Sequence, residues 1–448
     1  MALDLGVVTA PRGTLLVLDP GYLKFWRGDR RPVLPEGVLS TPEATAAAHS
    51  SVDLEIVGAD AGQVGRELDR QWHPRFLFDI PRAGVEDVSR RVADISKARG
   101  LDARVEVLLD RMSHRRRVDL ALEAGGGAGE VQFHGIWAGV LGGVPGDRAL
   151  RVIGERMPDG HAEAGRLRRV SLVVDEGSVA RSERFAYAMV DWGCLVAIDV
   201  EAAGEWQDER TLDGKADFVF WGRDAEAIAA LTSAGRLDDT NFGWVDLPEE
   251  RADELSREVF RLRDERRAVF ATDYRPHTHL YPLMTQIRAS KTSSGVVQLG
   301  GAIACGFATS WGDGIFEVHR DLDESGRLLR VRIELGTDER VALMGKLKLR
   351  WNTSALVSRM VIDEGQPVRF MYREAPHREQ DSGWRMFCGY EDEKYSDDPK
   401  NIAIVALTEF ANRDKRVDAL LDEPAGSVFE RRPGEEGFQR VTDWTPGR

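Results

Sequence analysis

At 448 residues, 42% apolar and 30% charged with no low-complexity tract, the chain is long enough for two or three hydrophobic cores and too apolar to be disordered. A formal net charge of −14 repels phosphate backbones, so no direct nucleic-acid ligand is expected. No apolar run approaches the roughly 18 residues that a membrane-spanning helix needs, so no membrane partner is expected either.

The chain opens on MALDLGVVTAPRG, which lacks the basic start and apolar stretch of a signal peptide. The three widely spaced cysteines, Cys194, Cys305 and Cys388, fit a reducing cytoplasm and argue against a disulfide framework or a cysteine zinc site. Residues 13–26, GTLLVLDPGYLKFW, begin with a short apolar run bounded by glycine and turn residues, a buried strand. VDLEIV from Val52 is a further strand, followed by Gly58 and by Asp60, which is placed to cap a short helix. Val85, Val88, Val92 and Ile95 stand near helical spacing. RVEVLL is a strand, and LRVIGERMPDGHAEAGRLRRVSLVV is a hairpin.

The same plan then recurs. GCLVAIDVEAAGEW from Gly193 aligns without gaps on residues 13–26, with Gly13, Leu15, Asp19 and Trp26 on Gly193, Leu195, Asp199 and Trp206. ADFVFWGRDAEAI from Ala216 matches VDLEIVGADAGQV, and VDLPEERADELSREV matches FDIPRAGVEDVSRRV, with Asp246 on Asp79. GVVQLGG matches GEVQFHG, Gly312–Asp313 matches Gly146–Asp147, and GRLLRVRIEL matches GRLRRVSLVV. Six pairs in one order predict a tandem duplication, residues 1–178 and 179–345, each copy a strand-rich α+β domain, with a third α+β domain over 346–448. FAYAMVDWGCLVAIDVEAA and GFATSWGDGIFEVHRDLDESGRLLRVRIEL resemble segments of an uncharacterised bacterial domain family that accompanies toxin–immunity loci, over residues 179–337. That resemblance supplies no catalytic residue.

In the second copy, TDYRPHTHLY places Asp273, His277 and His279 on one side of an extended segment. Two imidazoles and a carboxylate suit zinc or iron, and this is the centre of the alternative reading, a metal-dependent hydrolase or modifying enzyme. In the first copy Asp110 and His114 hold the places of Asp273 and His277, with no second histidine. A hydrogen-bonded structural cluster accounts for these residues better than a metal site, and a polar binding groove is the third reading. The glycine segments WAGVLGGVPGD and LGGAIACGF lack the lysine and hydroxyl of a phosphate loop and are strand kinks.

A connecting segment spans residues 337–360, and after it the texture changes. TDERVALMGKLKLRWNTSALVSRM reads as a connecting helix, with Leu343, Met344, Leu347 and Trp351 on one face. VIDEGQPVRFMYREAP is a turn and a strand, and IVALTEFANRD a helix. Between them, DSGWRMFCGYEDEKYSDDPKNI packs acids around aromatics. Its acidic part, EDEKYSDDPKNI, has no central glycine and is interrupted by Pro399, so it is no calcium loop. The plain alternative is a solvated turn in which Asp397 or Asp398 caps the helix after Pro399. The sharper expectation is a protein interface: Asp381, Trp384, Tyr390, Glu391, Asp392, Glu393, Tyr395, Asp397 and Asp398, exposed aromatics ringed by acids that steer a basic partner. The order EGQPVRFMYREAP, DSGWRMFCGYEDEKYSDDPKNI, LTEFANRD, LLDEPAGSVFER resembles the bacterial family called immunity protein thirty-three-like over nearly all of residues 356–443. The resemblance implies a role in neutralising a bacterial toxin and supplies no mechanism; taken with the composition, the expectation is a cytoplasmic, non-catalytic protein without cofactor that binds a cognate protein toxin, a basic nuclease on grounds of charge. A third possibility is a defence scaffold in which the last domain only docks.

Overall fold

The computed structural model describes residues 2–32, 42–68, 73–208, 210–266, 268–344, 353–378, 380–408, 414–435 and 437–444. Strands and helices alternate irregularly and the sheets are largely antiparallel, which is the α+β class expected. The chain packs into two compact units, residues 1–336 and 337–448. The two aligned stretches therefore lie within one unit. No helix among the described residues is long and apolar enough to cross a membrane.

The first half of the larger unit runs β1 (Ala2–Thr9), β2 (Thr14–Leu18), α1 (Pro42–His49), β3 (Val52–Val57), α2 (Ala61–Glu67), β4 (Phe76–Ile80), α3 (Val85–Arg99), β5 (Arg104–Val107), α4 (His114–Ala124), β6 (Ala128–Phe133), β7 (Ile136–Gly142), β8 (Ala149–Arg156) and β9 (Leu167–Val173). The second half runs β10 (Arg181–Val190), β11 (Cys194–Asp199), β12 (Lys215–Trp221), α5 (Ala225–Thr232), β13 (Gly235–Arg236), β14 (Asn241–Pro248), α6 (Glu249–Arg266), β15 (Ala271–Pro276), α7 (Leu280–Ala289), β16 (Ser294–Leu299), β17 (Ala302–Ala308), β18 (Gly314–Leu322) and β19 (Leu328–Glu334). All six aligned sequence pairs fall in corresponding places of these two series.

One six-stranded sheet has the order β1-β8-β9-β19-β18-β10 and the other β16-β17-β11-β2-β7-β6, so each takes three strands from each half. Both orders are unchanged when the halves are exchanged. At the middle of the second sheet, Val17 pairs with Ala197, the residue it aligns with when Gly13 is set on Gly193. At the middle of the first, Ser171 pairs with Arg332, its counterpart when Gly165 is set on Gly326.

The burial patterns follow from the layers. β2 is buried at every position because its sheet packs against the other sheet on one face and against α4 and α7 on the other, so it reads as a continuous apolar run. β19 alternates half-buried and buried residues because one face of its sheet meets solvent. Asp19 and Asp199 are buried across this arrangement. Asp19 accepts the amides of Gly21 (2.8 Å), Asp191 (2.8 Å) and Trp192 (2.7 Å), and Asp199 those of Glu201 (2.9 Å), Ala202 (3.2 Å) and Arg12 (3.2 Å). Each aspartate thus closes its own turn and one in the opposite half. Burial pushes the Asp19 carboxyl up to about 6, against the amides that favour its charge. Asp79 and Asp246 both sit in the left-handed region, at φ 56° and 55°, and donate their amides to Asp53 (3.0 Å) and Asp217 (2.8 Å).

In the smaller unit, residues 338–344 are helical, 345–352 lie outside the described residues, and β20 (Ser354–Ser358) follows. The connecting helix expected over 337–360 is therefore corrected in part: residues 338–344 are helical, but Ser354–Ser358 is a strand and Arg359–Ile362 a separate helical turn. β21 (Phe370–Arg373), β22 (Asp381–Phe387), β23 (Ile402–Ala406), β24 (Val428–Glu430) and β25 (Gln439–Arg440) complete a sheet of order β23-β20-β22-β21-β24-β25. The helix expected from Ile404 is corrected at its start: Ile404–Ala406 are strand, while Leu407 and Thr408 are helical. Ile402, Ile404 and Val405 are β-branched, favour a pleated surface, and pair antiparallel with β20; residues 409–413 of that reading lie outside the described residues.

Candidate partner-binding site

Strand parity decides which residues of the acidic segment reach solvent. β22 is interior, parallel to β20 and antiparallel to β21, and its alternate residues Trp384 and Met386 enter the core with Met371, Ala355, Val357 and Phe429. Trp384 is fully buried, and its indole N–H donates to the Leu421 carbonyl at 3.1 Å. The expectation of an exposed Trp384 is thereby corrected: period two places it inward, and no partner reaches it in the folded unit. Gly383 precedes it at φ 79°, where a Cβ would lie 2.2 Å from the Glu374 carbonyl oxygen, so no larger residue fits this crossing.

Asp381 is also occupied within the fold. Its carboxylate takes two bonds from Arg385, 2.9 Å each, and the amides of Gly383 (2.9 Å) and His377 (3.1 Å). The Arg385 guanidinium holds its carboxyl well below the usual carboxylate range. Glu391 accepts the amides of Cys388 (2.9 Å), Gly389 (2.8 Å) and Tyr390 (3.1 Å), folding the chain back into a tight loop. Burial pushes the Glu391 carboxyl up, and hydrogen bonds from the Ser358 hydroxyl and the Cys388 amide outweigh it and hold it below its ordinary value. Asp392 caps the helical turn Glu393–Ser396 through the Tyr395 amide (2.7 Å), and Asp398 caps Pro399–Asn401 through the Lys400 amide (3.0 Å). Both remain exposed, as do Glu393 and Asp397, while Tyr395 is half-buried. Tyr390 is 61% exposed, with the Arg369 guanidinium 5.0 Å from its ring centre.

The opposite face of the same sheet completes the site and was missed in the sequence. Phe370, Tyr372 and Phe387 alternate with the core residues and project from it, half-buried. Phe370 and Phe387 are register partners, and Tyr372 stacks on Phe387 at 6.2 Å. Trp444 closes over them, 5.1 Å from Phe370 and 4.8 Å from Tyr372. These rings line a cleft of about 550 Å³ whose rim includes Tyr390, Glu391, Arg369 and Glu430. Acidic loop and aromatic cleft thus form one continuous surface, apolar at its floor and charged at its edge. The alternation of Phe370 with Met371 and of Phe387 with Met386 was the available signal.

In the larger unit, Asp273, His277 and His279 turn to different partners. Asp273 pairs with Arg275 at 2.6 Å. His277 lies between Asp213 (3.0 Å) and Asp217 (3.1 Å) and stacks on Tyr281 at 3.8 Å, whose hydroxyl donates to Asp217 at 2.9 Å. The His279 ring accepts the Gln207 amide at 2.8 Å and lies 5.7 Å from Trp206. Among the described residues, no three His, Cys, Asp or Glu side chains are grouped to hold a metal. The counterpart of His279 is His114, which accepts the Arg27 amide at 3.1 Å and lies 5.5 Å from Trp26. The alignment of His114 with His277 is therefore corrected by two residues; shared partners, which sequence does not display, set the register.

Burial lowers the His277 pKa, but the hydrogen bonds and charges of Asp213 and Asp217 outweigh it and leave it raised. A raised folded pKa stabilises fully below the unfolded value of about 6.5 and fades as pH rises through the folded value. His277→Gln is expected to lower the melting temperature by about 2 °C more near pH 5.5 than near pH 9. Differential scanning calorimetry checks this, and an equal loss at both pH values contradicts the charge assignment.

No curated protein and no solved structure matches the chain. Residues 355–442, which hold the acidic loop, nearly all of the sheet and the cleft apart from Trp444, match the family model described as Immunity protein Imm33 domain.

Proposed function

We propose that the protein is a non-catalytic immunity protein whose C-terminal unit binds a cognate bacterial toxin and neutralises it stoichiometrically. The observation that carries this reading is the coincidence of the Imm33 match with a surface built for macromolecular contact: a ring-lined cleft, exposed Tyr390, and outward Asp392, Glu393, Asp397 and Asp398. Rings supply buried anchor area, and acids at the edge raise the association rate with a basic partner. A nuclease toxin, which itself binds phosphate, would carry that basic surface. We also read residues 1–336 as two copies of one unit about a local twofold axis, supported by the self-paired residues Val17–Ala197 and Ser171–Arg332.

The test is titration calorimetry of the full chain with the toxin it protects cells against. Tyr390→Ala is expected to weaken binding at least about tenfold, mostly through faster dissociation. Asp397→Lys with Asp398→Lys is expected to slow association severalfold and flatten its salt dependence. Unchanged affinity and rates in both would contradict the site.

A further inference from the structure

Resting on the immunity reading above, we infer that the toxin adds an extended, basic strand to the outer edge of β23. β23 ends its sheet, and among the described residues it pairs only with β20. The Leu407 amide donates to the Thr353 carbonyl at 3.0 Å, which fixes the hydrogen-bonding phase of the pair. Antiparallel bonding alternates, so Ala403 and Val405 turn their backbone groups to β20. Ile402, Ile404 and Ala406 turn theirs outward. The Ile402 amide is taken by the Pro399 carbonyl, which leaves the Ile404 and Ala406 amides along the edge.

Among the described residues, no strand pairs with that edge, and Ile404, 64% exposed, and Ala406 stand open along it. It contains no proline, lysine or bulge. Ile404 and Leu356 are register partners on the open face, an apolar shelf beside the strand. A bare edge of this kind is a template for main-chain pairing with another chain. The chemistry of the added strand follows from what precedes β23: on the turns that lead to Ile402, exposed Asp392, Glu393, Asp397 and Asp398 outnumber exposed Lys394 and Lys400, a net negative approach. A strand laid along β23 runs past these carboxylates at one end, and lysine or arginine there is favoured.

The test is hydrogen exchange on the full-length protein, alone and with the toxin it protects against, together with two variants. In the complex the Ile404 and Ala406 amides are expected to slow about 100-fold. Ile404→Pro removes an outward amide that β20 does not use, a substitution edge strands tolerate, and should weaken binding at least about 100-fold. Ile404→Thr keeps the amide and should stay within about tenfold of the parent. A complex that forms with Ile404 and Ala406 exchanging freely overturns the strand inference and leaves the immunity reading standing. Equal losses in Ile404→Pro and Ile404→Thr indicate side-chain docking and also overturn it. Absence of any complex overturns both. Protection of these amides in the protein alone, with concentration-dependent dimers, assigns the edge to a second copy and overturns the inference.

Discussion

Trp384→Ala is expected to cost about 3–5 kcal/mol, because a fully buried indole leaves a cavity and its hydrogen bond to Leu421 is lost. Trp384 touches the centre of the smaller core, beside Phe429 at 6.4 Å, and β22 joins β20 to β21. At roughly 1.4 kcal/mol per decade, amide exchange in Asp381–Phe387 should quicken by about two to nearly four orders of magnitude. Acceleration under tenfold would mean that the ring is peripheral. Toxin protection should fall with the loss of folded unit rather than with a lost contact, so a stabilising osmolyte should restore it in part. The same osmolyte should not restore Tyr390→Ala, whose side chain is already in solvent.

The second large effect lies in the first half of the larger unit. Arg117 is fully buried and serves two buried carboxylates: Asp53 at 3.2 Å and Asp79 at 2.7 Å, with the Phe78 ring 4.5 Å from its guanidinium carbon. Arg111 also pairs with Asp79. Burial raises Asp53; burial also pushes Asp79 up, but Arg117 outweighs it there and holds that carboxyl well below its ordinary range. Arg117→Leu strands a buried negative charge and is expected to destabilise by about 3–5 kcal/mol, read as a lowered urea midpoint. Adding Asp53→Asn should recover part of the loss, since it removes the charge left without its main partner. A double variant no more stable than Arg117→Leu alone would show that lost packing of the arginine stem, not charge, sets the penalty.

Much of the fold was legible because its turns are specified chemically. Asp19 and Asp199 could be aligned from sequence, since each closes a turn that only a short acceptor at that position can close. Asp79 and Asp246 stood out for the same reason: both hold a backbone region that disfavours most side chains. That the halves share their sheets was not legible, because the Val17–Ala197 and Ser171–Arg332 pairings join positions far apart in the chain, and local pattern carries no such information. Trp384 was misread through its acidic neighbours, although Trp384, Met386 and Cys388 alternate with Arg385 and Phe387 as a half-buried strand must. Ile404–Ala406 are strand rather than the start of the helix because a short apolar stretch fits both periods, and β-branching is the deciding feature. Trp444 could not be placed on Phe370 and Tyr372 from sequence at all, for that contact is long-range.

The central claim is that the protein acts by stoichiometric occupation of a toxin and not by turnover. The most direct measurement titrates a fixed amount of active toxin with the full-length protein and follows residual toxin activity. A linear fall is expected that reaches its floor at about one protein per toxin and does not deepen with time. Complete loss of toxin activity at a small fraction of an equivalent, progressing with time, would contradict it.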